Sequence, residues 1–207
     1  MPDQQPAAPV PPGEQQRMFF AVLIPKPLQA AAEVIQRALR RANADVKWVE
    51  PANLHFTIKF LGETSPELLP GLVAAGQQVA ERTSRFKVSL SGLGAFPHEQ
   101  WPQVVWIGCG DGSPELAQLG RDIDEALAAA QLAPLDKKPF TPHLTLGRTR
   151  SNRRIKALMQ LVAQFAQVPV GPLLVNGFAL MRSDLQPRGP VYTVIHEFAL
   201  SRPAVSE

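Results

Sequence analysis

The sequence has 207 residues, of which 45% are hydrophobic and 19% charged, the composition of an ordinary folded globular protein. Its net charge of +3 and pI near 9.3 fit a polyanionic partner or substrate without requiring one, because the basic residues form no polybasic run. No stretch approaches the roughly 18 apolar residues of a membrane-spanning helix, so we expect no membrane partner.

Cys109 is the only cysteine, which rules out an intramolecular disulfide and a cysteine-based metal centre. We expect it to be a small buried apolar side chain in a cytoplasmic, monomeric protein. Residues 1–16 are rich in Pro and Gln and predict a disordered leader. Residues 203–207 are expected to form a tail.

The first half of the sequence predicts alternating strands and helices. A continuous apolar run indicates a buried strand, and the Ala-rich stretch after Pro27 has helical spacing of its apolar residues. A Ser-Pro-Glu sequence, with Ser65 as the N-cap, opens a second helix. In chain order, the predictions are a strand at Met18–Ile24, a helix at Leu28–Arg41, a strand from His55 to about Gly62, and a helix from Ser65 to about Arg82.

The second half predicts the same kinds of element. Ser113 begins a second Ser-Pro-Glu sequence, and Ser151 is expected to cap a later helix with apolar residues on one face. The predictions are strands at Phe86–Phe96 and Val104–Cys109, a helix from Ser113 to about Gln131, a loop at 132–142, a strand from His143, a helix after Ser151, and strands at Leu173–Arg182 and Val191–Leu200.

Two copies of a His-x-Thr motif stand out in this series: His55-Phe56-Thr57 and His143-Leu144-Thr145. With this composition, two copies arise by chance about one time in a hundred. Apolar residues flank each threonine, so alternation along a strand places the histidine and the threonine on one face, about 7 Å apart. That separation matches the span of a phosphate and its ligands.

The two motifs also mark an internal duplication. The histidines are 88 positions apart, and each half of the sequence runs strand, helix, His-x-Thr strand, helix, strand. We therefore predict an α+β fold with two pseudo-symmetric antiparallel-sheet lobes, outer helices and a central cleft, all within one domain over residues 17–202. A two-fold axis between the lobes would place both motifs across the cleft.

Two histidines facing one substrate indicate acid-base chemistry on a phosphodiester. Histidine has a side-chain pKa near neutrality, so one imidazole can accept a proton while the other donates one. The threonine hydroxyls can stabilise charge on the phosphate oxygens. A 2',3'-cyclic phosphate suits such a site, and we expect neither a cofactor nor a metal, because no carboxylate or thiol stands near either motif at ligand spacing.

The segments KWVEPANLHFTIKFLGE and FTPHLTLGR resemble the two signature regions of the two-histidine phosphoesterases, specifically the 2'-5' RNA ligase type, which are RNA 2',3'-cyclic phosphodiesterases. The resemblance extends from about Arg17 to Arg202. It implies a bilobal α+β fold and RNA ends bearing a 2',3'-cyclic phosphate as substrate, with reversible 2'-5' ligation as a further activity.

Carried over by residue, the resemblance implies that His55 donates the proton to the leaving oxygen and that His143 is the proton acceptor for the attacking water. Thr57 and Thr145 would bind the phosphate. Arg148 matches a basic residue that commonly follows the second motif, although strict alternation from His143 places it on the opposite face of the strand.

Three positions depart from the family pattern. Lys59 stands where the family more often has an apolar residue, and alternation predicts that it adds a cation on the His55 side of the strand. Gly147 replaces a common alanine. Gln103 replaces a frequent basic residue, which would weaken contacts with a longer RNA.

Several other residues have more than one interpretation. Four aromatic residues are candidates for base stacking or for the core, namely Phe19, Trp48, Phe140 and Tyr192. Trp106 is assigned to packing, and His98 and His196 to structural or solvated positions. Arg150, Arg153 and Arg154, near Arg148, are either a solvated helix start or an RNA contact.

Two alternative functions remain open from the sequence. One is a phosphodiesterase acting on small cyclic nucleotides or on ADP-ribose cyclic phosphate. The other is a non-catalytic module that binds RNA ends, although binding alone does not need two titratable imidazoles.

Overall fold

The structure, a computed structural model, describes residues 14–98, 100–187 and 189–201. Most of the predicted leader and all of the predicted tail lie outside this range. Gln16, the last residue of the predicted leader, is the first residue of β1. The elements are β1 Gln16–Leu23, α1 Lys26–Arg40, β2 Val46–Trp48, β3 His55–Thr64, α2 Leu69–Arg82, β4 Phe86–Phe96, β5 Val104–Cys109, α3 Ser113–Ala129, β6 Leu144–Thr149, α4 Ile155–Gln164, β7 Pro169–Val175, β8 Gly177–Gln186 and β9 Gly189–Ala199.

The strand predicted at Leu173–Arg182 is wrong, because two strands occupy this stretch. They are separated at Asn176, whose carbonyl accepts a hydrogen bond from the Leu200 N–H at 2.9 Å. β7 belongs to one sheet and β8 to the other. The Asn176-Gly177 pair, a typical turn sequence, marks this change of sheet within an otherwise apolar stretch.

Two predicted helix caps are also wrong, although the helices exist. α3 begins at Ser113, but its N-cap is Gly112 in a left-handed conformation with φ +80°, where glycine is favoured. α4 begins at Ile155 after Arg154, also left-handed, rather than at Ser151. By contrast, the Ser65 side chain accepts a hydrogen bond from the Glu67 N–H at 3.4 Å and opens a short 3-10 turn before α2.

The strands form two antiparallel sheets, which confirms the predicted α+β architecture. One sheet has the order β3-β1-β8-β9 and the other has the order β2-β6-β5-β4-β7. Each sheet takes strands from both halves of the sequence. Helices α2 and α3 pack on the first sheet, and α1 and α4 pack on the second.

The duplication is visible in the helix cores. Four buried positions of α1 recur in α3 at the same 88-residue spacing that separates the two histidines. The pairs are Leu28 and Leu116, Ala32 and Gly120, Ile35 and Ile123, and Leu39 and Leu127, and all eight are buried. The equivalent helices therefore present the same apolar face, each to a different sheet.

No helix in the described part of the chain is long and apolar enough to span a membrane.

Candidate active site

A cleft of about 660 Å³ lies between the two sheets and contains both His-x-Thr motifs. Strands β1, β3, β8 and β9 line one side, and the residues around β6 line the other. The lining residues are Arg17, Phe19, Val49, Asn53, His55, Thr57, Ile58, Phe60, Asp136, Phe140, His143, Thr145, Arg148, Ser183, Leu185, Pro190 and Tyr192.

Apolar side chains fix which face of β3 meets the cleft. Phe56 and Ile58 are buried in the core, while His55 and Thr57 point the other way, into the cleft. Burying one such side chain contributes about 1.5–3 kcal/mol. Because a slip of one residue would exchange the two faces, this burial holds the motif toward the cleft. Leu144 and Leu146 are equally buried beside the second motif.

Each His-x-Thr strand has a β-bulge immediately after its motif. Along β3, Thr57 pairs with Ala21 and Lys59 with Phe20, so Ile58 is the extra residue. Along β6, Thr145 pairs with Trp106 and Gly147 with Val105, so Leu146 is the extra residue. A bulge inserts one unpaired residue and reverses the side-chain alternation beyond it.

The bulges change the expected directions of two side chains. Arg148, which strict alternation places away from the cleft, lines it. The prediction that Lys59 adds a cation to the cleft is wrong. Its side chain is only 2% exposed, and its ammonium is paired with Asp124 and Asp136. Phe60, one position later, lines the cleft instead and is half exposed.

Both imidazoles are held by the same backbone contact. Nδ1 of His55 lies 2.7 Å from the carbonyl oxygen of Asn53, and Nδ1 of His143 lies 2.7 Å from that of Thr141. A carbonyl only accepts, so Nδ1 carries the proton and donates it. Nε2 is then the atom available to a substrate. In His55 it lies 3.0 Å from Oγ1 of Thr57, whose hydroxyl can donate to it.

The surroundings favour the neutral form of both imidazoles. Burial lowers the pKa of His55 below its ordinary value of 6.5, against the opposing effect of the Asn53 carbonyl. Burial also lowers the pKa of His143, against the opposing effect of the Thr141 carbonyl, and the positive charge of Arg148 lowers it further. The charge of Arg148 therefore favours the neutral form of His143.

The cleft rim also contains Tyr192, Arg17 and Asn53. The sequence leaves Tyr192 open between base stacking and the core, and it does not identify Arg17 or Asn53. The Tyr192 ring meets the His55 ring edge-on, with centroids 5.1 Å apart. Burial raises the pKa of the Tyr192 phenol, while Arg148 and Arg17 both act to lower it. The positive charges of both arginines therefore act on the Tyr192 phenol. The residue two positions before the histidine is Asn53 in one half and Thr141 in the other, and no side-chain pattern predicts the contact because the backbone carbonyl makes it.

The other candidates from the sequence divide between the cleft and its surroundings. Phe19, Phe140 and Tyr192 line the cleft, whereas Trp48 packs beneath the guanidinium of Arg40. Trp106 packs against Phe96 with the two rings tilted, and the Phe96 ring meets His143 edge-on at 5.0 Å, so Trp106 packs beneath the site. Three residues lie outside the cleft lining, namely Arg150, Arg153 and Arg154.

The remaining histidines and the cysteine have structural surroundings. Nδ1 of His98 accepts a hydrogen bond from the Trp101 N–H at 3.4 Å, and His196 packs on Phe198. Burial raises the pKa of the Cys109 thiol to about 12, which keeps it protonated and unreactive. Gln103 pairs through its backbone with Phe96 and Thr149.

Gly147 is required by the packing of β2 on β6. A Cβ at this position would lie 2.7 Å from Cγ1 of Val46 and 3.0 Å from Cε3 of Trp48. The alanine that is common in the family therefore needs β2 to shift.

Within residues 14–98, 100–187 and 189–201, no group of three or more His, Cys, Asp or Glu side chains is arranged to hold a metal ion.

Comparisons with known proteins agree with this fold. Residues 24–187 match the family model of the 2'-5' RNA ligase superfamily. The chain is 34% identical over 184 residues to an RNA 2',3'-cyclic phosphodiesterase of Methanothermobacter thermautotrophicus, covering 89% of this chain and 98% of that one. It is 38% identical over 193 residues to an RNA 2',3'-cyclic phosphodiesterase of Thermus thermophilus, covering 89% and 90%.

Solved structures show the same fold. The protein TT0787 of Thermus thermophilus superposes with a TM-score of 0.75 at 34% identity, over 89% of this chain and 97% of that one. LigT of E. coli in complex with 3'-AMP superposes with a TM-score of 0.70 at 26% identity, over 91% and 100%. The chain belongs to the 2'-5' RNA ligase superfamily, as its two signature segments predicted.

Proposed function

We propose that this protein is an RNA 2',3'-cyclic phosphodiesterase that opens the cyclic phosphate at an RNA end to a 2'-phosphomonoester without a metal ion. The observation that carries this proposal is the pair of His-x-Thr motifs on opposite sides of one cleft, each imidazole anchored at Nδ1 with Nε2 left for the substrate. The names of its relatives support the same reaction.

In this mechanism His143 is the general base. Its neutral Nε2 removes a proton from a water molecule, and the water oxygen forms a bond to phosphorus. The nearby Arg148 guanidinium supports this role, because a positive charge disfavours the imidazolium form before reaction.

His55 is the general acid. As the bond between phosphorus and the ribose 3' oxygen breaks, its protonated Nε2 gives a proton to that oxygen. Binding of the anionic phosphate raises the pKa of an adjacent imidazole, which supplies the proton that the free site disfavours.

Thr57, Thr145 and Arg148 are proposed to bind the phosphate. Each hydroxyl donates a hydrogen bond to a non-bridging oxygen, and these bonds strengthen as negative charge develops. The guanidinium offers a fixed positive charge at the same rim. When a 5' hydroxyl replaces water as the nucleophile, its oxygen bonds to phosphorus, the ribose 3' oxygen leaves with the proton from His55, and the two ends are joined through a 2'-5' linkage. We therefore also propose slow ligation at high concentrations of suitable ends.

The test is incubation with RNA ending in a 2',3'-cyclic phosphate, in EDTA, followed by identification of the terminal phosphate. We expect conversion to the 2'-phosphomonoester by the wild type and loss of conversion in His55→Ala and in His143→Ala. Activity that survives both substitutions, or that EDTA abolishes, contradicts the mechanism. Tight binding of the RNA end with no turnover by the wild type indicates a binding module instead.

We further propose a monomer acting in the cytoplasm. The single cysteine fits a reducing compartment, and an RNA substrate is present there. Light scattering of the purified protein and cell fractionation check these two points.

A further inference from the structure

Helices α1 and α3 each carry a polar side chain at the same place on their inner face. Gln36 and Asp124 are 88 positions apart, as the two histidines are. Gln36 is 1% exposed, and the Asp124 side chain is 18% exposed. Polar groups are rarely buried without a specific partner, so their contacts are informative.

Gln36 joins the approach to His55 to the strand that follows His143. Its Nε2 donates to the carbonyl of Val49 at 2.7 Å and to that of Leu146 at 2.9 Å. Val49 lies in the segment that enters β3, and Leu146 is the extra residue of the β6 bulge. Both amide hydrogens are thus used to connect the two halves of the site.

Asp124 makes the equivalent connection in the opposite direction. Its Oδ1 accepts from Nζ of Lys59 at 2.5 Å, directly after the β3 bulge, and its Oδ2 accepts from the Asp136 N–H at 3.0 Å. Lys59 also donates to Oδ1 of Asp136 at 2.7 Å and to the carbonyl of Pro134 at 2.8 Å. All three ammonium hydrogens therefore have partners, and two of those partners lie in the segment that enters β6.

The two segments held by these bonds, one before β3 and one before β6, contain the carbonyl groups that accept the hydrogen bonds from Nδ1 of the imidazoles. The carbonyl of Asn53 follows Val49 in the first segment, and that of Thr141 follows Asp136 in the second. A displacement of either segment moves the carbonyl that orients Nδ1. Each segment is therefore held to the His-x-Thr strand of the other half by one of these side chains, and the first segment is also held by the Val49 N–H, which donates to the Leu146 carbonyl at 2.9 Å.

We propose that Gln36 and the Lys59–Asp124 pair are symmetry-related positioning residues. They hold the two imidazoles at the separation at which His143 can take a proton from water while His55 gives one to the leaving oxygen. This inference rests on the proposed function, because it assigns the two fastenings a part in that reaction. Neither touches the substrate. A misplacement of about 1 Å at a reacting group can cost on the order of 100-fold in rate.

The test uses two variants of similar shape that remove the fastenings. Gln36→Met removes both amide bonds, and Lys59→Met with Asp124→Asn removes the ion pair without changing the net charge. Asp124→Asn alone, at a side chain 18% exposed and outside the cleft lining, weakens the second fastening while Asp136 still pairs with Lys59, so it serves if the double variant fails to fold. Matched controls are Gln77→Met and Lys87→Met with Glu125→Gln, all exposed.

The readouts are kcat and KM on cyclic-phosphate-ended RNA, hydrogen exchange, and an NMR titration of the imidazoles in the free protein. We expect a fall in kcat of about 10-fold or more with little change in KM. Faster exchange at residues 46–54 or 134–142 and a rise in the pKa of the adjacent histidine should accompany it, because a loosened imidazole is better hydrated. The controls should match the wild type.

A lower melting temperature with unchanged kcat, exchange and imidazole titration in the folded variants overturns the inference and leaves a structural role only. Failure of the proposed function gives a different pattern. The wild type would then be inactive on cyclic-phosphate ends, while the exchange and NMR measurements still report whether the fastenings position the imidazoles.

Discussion

Strands β3 and β6 share a motif, a bulge and a backbone anchor for the histidine, and they differ at the two positions after the bulge. Where β3 has Lys59 and Phe60, β6 has Gly147 and Arg148. Lys59 donates a hydrogen bond to the carbonyl of Pro134, and Gly147 leaves space for the side chains of β2. Phe60 and Arg148 both line the cleft. The backbone thus supplies a symmetric pair of imidazoles, and the next side chains make their electrostatic surroundings unequal.

The most severe test of this comparison is removal of each imidazole. We expect His55→Asn and His143→Asn each to lower kcat by about 10²- to 10⁴-fold, the usual contribution of a general acid or base. If the roles differ as proposed, His143→Asn loses the fall in rate at acid pH and His55→Asn loses the fall at alkaline pH. Rate profiles across pH check this, with His196→Asn as the control. Identical profiles for both variants contradict distinct roles.

The dependence of the wild-type rate on pH should also reflect the lowered pKa values of His55 and His143. Burial holds both pKa values below 6.5, and the productive state needs one imidazole protonated and one neutral. That singly protonated form is most populated between the two apparent pKa values, so kcat/KM should be maximal below pH 6.5 and fall by up to about 10-fold per pH unit above it. A maximum on the alkaline side would show that burial does not control these groups.

Arg148 is the clearest source of inequality between the two halves. Arg148→Met should raise the pKa of His143, because a nearby positive charge is removed. It should also lower kcat/KM by about 10- to 100-fold, the equivalent of a lost hydrogen bond to a charged group. NMR titration of the free protein and steady-state kinetics check the two effects. Arg150→Met, outside the cleft lining, is the matched control; an unchanged His143 titration in Arg148→Met contradicts the assignment.

Gly147 should matter to stability more than to chemistry. Gly147→Ala places a Cβ 2.7 Å from Val46, and overpacking of this kind costs about 1–3 kcal/mol. Urea denaturation should show a lower free energy of unfolding, with kcat little changed for the folded protein. An unchanged denaturation midpoint would mean that β2 shifts freely, and the contrast with the fastened Lys59 would then weaken.

The sequence predicted helices α1 to α4, most of the strands and the face of each histidine, because period-two and helical spacing are local properties, but it missed the short strand β2. It failed where a single residue changes the register. The bulges at Ile58 and Leu146 redirect Lys59 and Arg148, and nothing in either motif distinguishes a bulged strand from a regular one. The break at Asn176 is a different case, because the Asn176-Gly177 pair is a local turn signal between the two apolar segments.

Long-range contacts were also beyond prediction from local pattern. Gln36 and Asp124 lie at equivalent helix positions, but the sequence gives no sign that each binds the His-x-Thr strand of the other half. That arrangement depends on the exchange of strands and helices between the two sheets, which only the assembled fold determines.

The proposed mechanism requires that one phosphate is held between the two motifs. The most direct measurement is a crystal structure of the protein with an oligonucleotide ending in a 2'-phosphate, the proposed product. We predict phosphate oxygens within about 3.2 Å of Nε2 of both His55 and His143 and of the hydroxyls of Thr57 and Thr145. A phosphate bound by one motif alone, or outside the cleft, would contradict the account.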